Sequence, residues 1–101
     1  MKRKVSFTKS SRRDIKSIVD YIRQDKPIAA EKFKNTLLQK ARSLTLFSER
    51  GRMLAYGKAK DKAVYRELMI GDYRMIYKIK NETVFIMRVI HGHQSTKYVL
   101  N

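Results

Sequence analysis

The sequence predicts an α+β fold: an N-terminal edge strand, then an antiparallel helical hairpin packed on a mainly antiparallel sheet that ends in a three-stranded meander. Three observations predict it. Residues 64–94 are rich in β-branched, aromatic and long apolar side chains, broken by two short turn signals, Gly71-Asp72 and Asn81-Glu82. Ile15, Ile18, Val19 and Ile22 recur at helical spacing, and so do Ala30, Phe33, Leu37, Leu38, Ala41 and Leu44, with Pro27 between the runs. At 101 residues the chain can build one core without staples but not two, so residues 1–101 are expected to form one domain.

Lys4-Val5-Ser6-Phe7-Thr8 alternates polar and apolar over a short span, which suits an edge strand joining the later sheet. Ser11-Arg12-Arg13-Asp14 has the shape of a capping box, with Thr8 as an alternative cap, and the apolar stripe that follows makes the first helix. Pro27 suits the first turn of the second helix, where its missing N–H would have had no partner. The two stripes face each other and the sheet, with Leu46 and Phe47 closing the second. Residues 48–62 lack sustained periodicity and carry Arg50, Arg52, Lys58, Lys60 and Lys62. They read as a basic loop, either a solvated connection or a rim that tracks phosphate or target beside the sheet.

In the meander, two-residue loops pair Ile70 with Tyr73, Leu68 with Met75, Arg66 with Tyr77, and Ile79 with Val84. Alternation sends Tyr73, Met75, Tyr77, Ile86, Arg88 and Ile90 to the helices. It leaves Glu67, Arg74, Lys78, Val89 and His91 on an open face, an assignment that a bulge in any strand would partly swap. The last residues, His93 to Asn101, form a short polar tail.

Composition narrows the partners. Twenty-four Lys and Arg stand against nine Asp and Glu, a formal charge of +15, well beyond the magnitude of about 2–8 that solubility asks of a small domain. Such a field attracts polyanions: nucleic acid, ribosomes or an acidic protein. No cysteine is present, which removes disulfides, thiolate metal sites and thiol catalysis together. No apolar run approaches the ~20 residues needed to cross a bilayer, and MKRKVSFTKSSRR lacks the apolar core of a signal peptide. The expectation is a cytoplasmic protein with no membrane partner.

No zinc-ligand spacing, phosphate loop or nucleophile elbow occurs, and His91-Gly92-His93 is too short a set for a metal, so neither metal nor cofactor is expected. What remains is arginine, lysine, histidine and tyrosine. Attack of a ribose hydroxyl on the adjacent phosphate needs a base, a cation for the developing charge and an acid for the leaving oxygen. Histidine can serve as base or acid and arginine as the cation. The bland alternatives are strand arginines at 66 and 74 paired with Glu67 or solvent, tyrosines that pack, and an Arg88 that snorkels or pairs with a helix carboxylate such as Glu31.

The order of elements, together with D-I-x-x-I-x-x-Y-I from Asp14, P-x-A-A from Pro27, Y-R-x-x-Y from Tyr73 and R-V-x-H-G from Arg88, resembles the RelE/ParE superfamily of type II toxin–antitoxin toxins over nearly the whole chain. The resemblance implies a growth-inhibiting toxin neutralised by a cognate antitoxin whose partly disordered segment folds on binding. RelE-like members are ribosome-dependent mRNA endoribonucleases, whereas ParE-like members poison DNA gyrase. The helical hairpin and P-x-A-A motif resemble the ParE branch, so gyrase poisoning without catalysis is the leading expectation and mRNA cleavage the alternative. A basic binding module without toxicity is a third reading. For a nuclease, Arg74 falls on the phosphate-gripping arginine of the Y-R-x-x-Y motif, His91 and His93 are the proton-transfer candidates, and Tyr98 stands for the C-terminal tyrosine. The arginine pair common after H-G is His93-Gln94 here, a departure from the nuclease set.

Overall fold

The structure, a computed structural model, describes residues 2–54 and 64–95. Strand β1 (Lys4–Phe7) is followed by helices α1 (Lys9–Asp25) and α2 (Pro27–Ser43), a short strand β2 (Arg52–Met53), and strands β3 (Tyr65–Ile70), β4 (Tyr73–Lys80) and β5 (Thr83–His91). The strands form one sheet in the order β1-β5-β4-β3-β2, with β1 parallel to β5 and the other pairs antiparallel. This is the α+β arrangement expected from the sequence, with the first strand at an edge.

Local chemistry sets the element boundaries. Thr8, the alternative cap, is the one used: its Oγ1 accepts from Ser11 N–H at 3.1 Å and donates to the Ile86 carbonyl at 2.9 Å, so the start of α1 is tied to β5. Pro27 opens α2 behind Lys26, which offers no side-chain cap. Both hairpin turns are two-residue loops led by a residue in the left-handed region, Gly71 at φ 59° and Asn81 at φ 57°. The register across both turns is the expected one.

The helices cover one sheet face. Leu37, Ala41 and Leu44 meet Met75, Tyr77, Val84, Ile86 and Val89 in a buried cluster, with Ile15, Ile18 and Phe33 packed against it. The other face is not open at its centre. Leu54, Tyr65, Ile76 and Ile90 are buried there as a second apolar cluster, with Met87 against it.

Three expectations need correction. Ile76 pairs with Arg88 and Tyr77 with Ile86, so Met87 is an extra residue in β5. Beyond this bulge the alternation flips: Val89 joins the helix-side cluster, Ile90 the opposite one, and His91 stands across from Tyr73. Leu46 and Phe47 do not close the stripe of α2. Its chain turns away after Leu44, leaving them 60% and 64% exposed. Finally, residues 48–54 are not simply loop, because Arg52 and Met53 pair with Glu67 and Arg66.

Candidate functional site

The cationic residues of the sheet converge on a carboxylate. Glu67 lies mid-strand in β3 on the face away from the helices, opposite Arg52 of β2 and diagonal to Arg74 of β4. Arg52 donates to Glu67 Oε2 from Nε at 3.1 Å and also from Nη2, and Arg74 Nε donates to Oε1 at 2.6 Å. The second arm of Arg74 donates from Nη1 to the Gln94 carbonyl at 2.9 Å. Burial pushes the Glu67 carboxyl up, but the hydrogen bonds and charges of Arg52 and Arg74 outweigh it and hold the group below its ordinary 4.5. Glu67 is therefore an anion at neutral pH, and Arg74 is committed on both sides.

A buried latch positions the β2 end of this cluster. The Tyr77 hydroxyl, beneath residues 48–51, accepts from Gly51 N–H at 2.9 Å and donates to the Ser48 carbonyl at 2.7 Å. Burial raises the Tyr77 phenol above its ordinary 10.0, with the Gly51 bond acting against that rise, so the proton it donates stays in place. Arg66 braces the same segment by donating to the carbonyls of Glu49 at 3.1 Å and Gly51 at 2.9 Å.

The histidine rings lie on the side of Tyr73, while Gln94 links their turn to this cluster: its Oε1 accepts from His91 N–H at 3.0 Å and its carbonyl from Arg74. His91, expected beside Arg74, is carried by the bulge to the side of Tyr73, with ring centroids 5.4 Å apart edge to face. His93 stacks on it at 5.0 Å, and His93 N–H donates to His91 Nδ1 at 3.3 Å. Arg88 pairs with a helix carboxylate as foreseen, but with Asp14 rather than Glu31: Nε and Nη2 reach its two oxygens at 2.7 and 3.0 Å.

Arg50 donates to Ser43 Oγ at 2.8 Å, away from the Glu67 cluster. Lys78 lies in β4 opposite Tyr65 and Phe85. Lys58, Lys60, Lys62 and Tyr98 lie outside the described residues. Of the sequence candidates, then, the structure brings together Arg52 and Arg74, and the residue that joins them is Glu67. Its approach to Arg74 is legible from the hairpin register; that of Arg52 is not, because a two-residue strand leaves no periodic signal.

On the helix side, Phe7, Ile15, Val19 and Leu38 floor a groove of about 500 Å³ between β1 and the hairpin, with Arg12, Lys16, Arg23 and Lys34 around it. Among the described residues no helix is long and apolar enough to cross a membrane.

The architecture is thus a helical hairpin laid on one face of a five-stranded sheet of order β1-β5-β4-β3-β2. A family model described as the ParE toxin of the type II toxin–antitoxin system parDE matches residues 5–96, and the chain belongs to that family. Toxins of that family belong to two-component systems whose other member is a cognate antitoxin. A solved structure titled as the chromosomal ParDE TA system from P. aeruginosa is similar with a TM-score of 0.71, at 15% identity over 88% of this chain and 95% of that one, a likeness of fold. No curated protein matches significantly in sequence.

Proposed function

We propose that the chain arrests growth by poisoning DNA gyrase and catalyses no reaction of its own. The observation that carries this reading is the Glu67 carboxylate seated between Arg52 and Arg74. The arginine that resembles the phosphate-gripping residue of the nuclease branch already holds an anion through a charge-assisted bond, so a phosphodiester has to displace a carboxylate to reach it. His91 and His93 stack on each other on Tyr73's side, which supports the same reading.

The test uses antitoxin-free chain with purified gyrase and plasmid. Gyrase-dependent double-strand breaks, trapped on denaturation, are the expected result. Intact plasmid at large molar excess, together with new mRNA ends that require ribosomes, would replace gyrase poisoning with the endoribonuclease reading. A folded chain that is inactive in both assays and harmless on induction would leave the binding module.

In the same reading the antitoxin's segment is an acidic, amphipathic helix that lies apolar face down in the groove between β1 and the hairpin. The charge balance supports this: four cations surround the apolar floor, against Asp20 alone. Reversing two exposed cations with Lys16→Glu and Lys34→Glu should weaken antitoxin binding about tenfold or more in a titration of the purified partners. Unchanged affinity would place the antitoxin elsewhere.

A further inference from the structure

Among the described residues Glu67 is the one buried charged side chain, and its surroundings have the form of an oxyanion seat. Three N–H donors from two guanidiniums converge on two carboxylate oxygens, the same fork that arginines offer to a phosphate. Only the Arg52 side of the seat meets solvent: its side chain is 76% exposed, whereas those of Arg74 and Glu67 are 13% and 4% exposed. Two cations and one anion leave it with one unit of positive charge. In a chain of formal charge +15, an arginine pair left without its carboxylate and open on the Arg52 side would be expected to grip an RNA backbone.

We propose that Glu67 is a specificity-determining residue, an internal carboxylate that fills a phosphate seat between Arg52 and Arg74 and keeps the sheet from holding RNA. Rooted in the middle of β3 and paired across strands on both sides, it cannot swing clear of the arginines as an exposed glutamate would. The inference deepens the gyrase reading and rests on it, since that reading has the arginine pair holding a carboxylate instead of a phosphodiester. A carboxylate that only joined the strands would change stability when replaced. It would not change RNA affinity beyond the effect of net charge.

The experiment titrates the full, antitoxin-free chain with a fluorescent oligouridylate over a range of salt. Glu67→Gln keeps the shape and removes the charge, and Glu82→Gln, in the exposed turn between β4 and β5, makes the same change of net charge away from the seat. Glu67→Gln should bind about tenfold more tightly, with a salt slope steeper by about 0.7 for one added phosphate contact on a single strand. Glu82→Gln should stay within about twofold of the wild type by the long-range part of the field alone. Equal gains in the two variants, or no gain in a folded Glu67→Gln, would overturn the proposal.

The wild type supplies a reading that no folding defect can cloud. Its Arg74 Nε–H resonance should stay in place when oligouridylate saturates the chain, and a shift there would overturn the proposal outright. The gyrase assay on the same preparation separates the two ideas. RNA affinity gained by Glu67→Gln while the wild type fails to poison gyrase would keep the role of Glu67 and remove the gyrase reading. Poisoning without that gain would do the reverse.

Discussion

Gly51→Ala is expected to lower stability by about 2–4 kcal/mol, since overpacking and loss of a buried hydrogen bond act at the same point. A Cβ at Gly51 would stand 2.6 Å from the Tyr77 hydroxyl, 2.8 Å from its ring and 2.8 Å from the Glu67 carbonyl. Two of these obstacles belong to a fully buried side chain and the third to a strand backbone, so nothing nearby can give way cheaply. The alanine has to push the 48–51 segment off the sheet, breaking the Tyr77 latch and loosening Arg52 beside Glu67. Thermal unfolding should show a drop of roughly 8–30 °C, given about 4–8 °C per kcal/mol for a domain of this size.

Tyr77→Phe keeps the ring and leaves Gly51 N–H and the Ser48 carbonyl without the hydroxyl, at an expected cost of about 1–3 kcal/mol. The double variant should cost less than the sum, because removing the hydroxyl also removes the closest obstacle to the new methyl. Strict additivity would show that the latch and the close approach act independently, and a Gly51→Ala melting curve matching wild type would sink the steric argument.

Asp14→Ala should cost about 2–3 kcal/mol, the second large effect. Asp14 is where α1 meets the bulge in β5. Its Oδ2 accepts from Arg88 Nε at 2.7 Å and from Val89 N–H at 2.9 Å, and its Oδ1 from Arg88 Nη2 at 3.0 Å. The Asp14 bond raises the Arg88 guanidinium above its ordinary value against the opposing effect of burial; without that partner the raise is lost, but an arginine still stays protonated at neutral pH, so the cation is retained. Alanine would leave that half-buried charge and a strand N–H unpaired in one step. Denaturant unfolding should give a lower midpoint with an unchanged slope. Asp20→Ala provides the contrast: its partners Lys16 and Arg23 are exposed neighbours on α1, and the midpoint should hardly move. Equal behaviour of the two variants would mean that the Asp14 contact does not hold α1 to the sheet.

The order of elements apart from β2, both hairpin turns and their register, the two helical stripes and the superfamily resemblance were legible in the residues. The reason is that each rests on local preference. Gly71 and Asn81 tolerate positive φ wherever they occur, Pro27 suits a first helical turn, and apolar spacing of three and four marks a helix face whatever it packs against. The site was less legible. Arg74 was found as a candidate, but its partner was left open, and the role of Tyr77 as a latch was hidden behind an ordinary packing position.

Tertiary structure alone decided three matters. One extra residue at Met87 carried His91 across the sheet, and a bulge of that kind arises from how β5 meets β4 while Thr8 and Asp14 hold it to α1. The two-residue pairing that brings Arg52 to Glu67 depends on Gly51 fitting against Tyr77, a contact 26 residues apart in the chain. And whether an arginine faces phosphate or its own protein's carboxylate is a question of long-range placement: charge along the chain counts the cations, but only the folded sheet shows which of them Glu67 already holds.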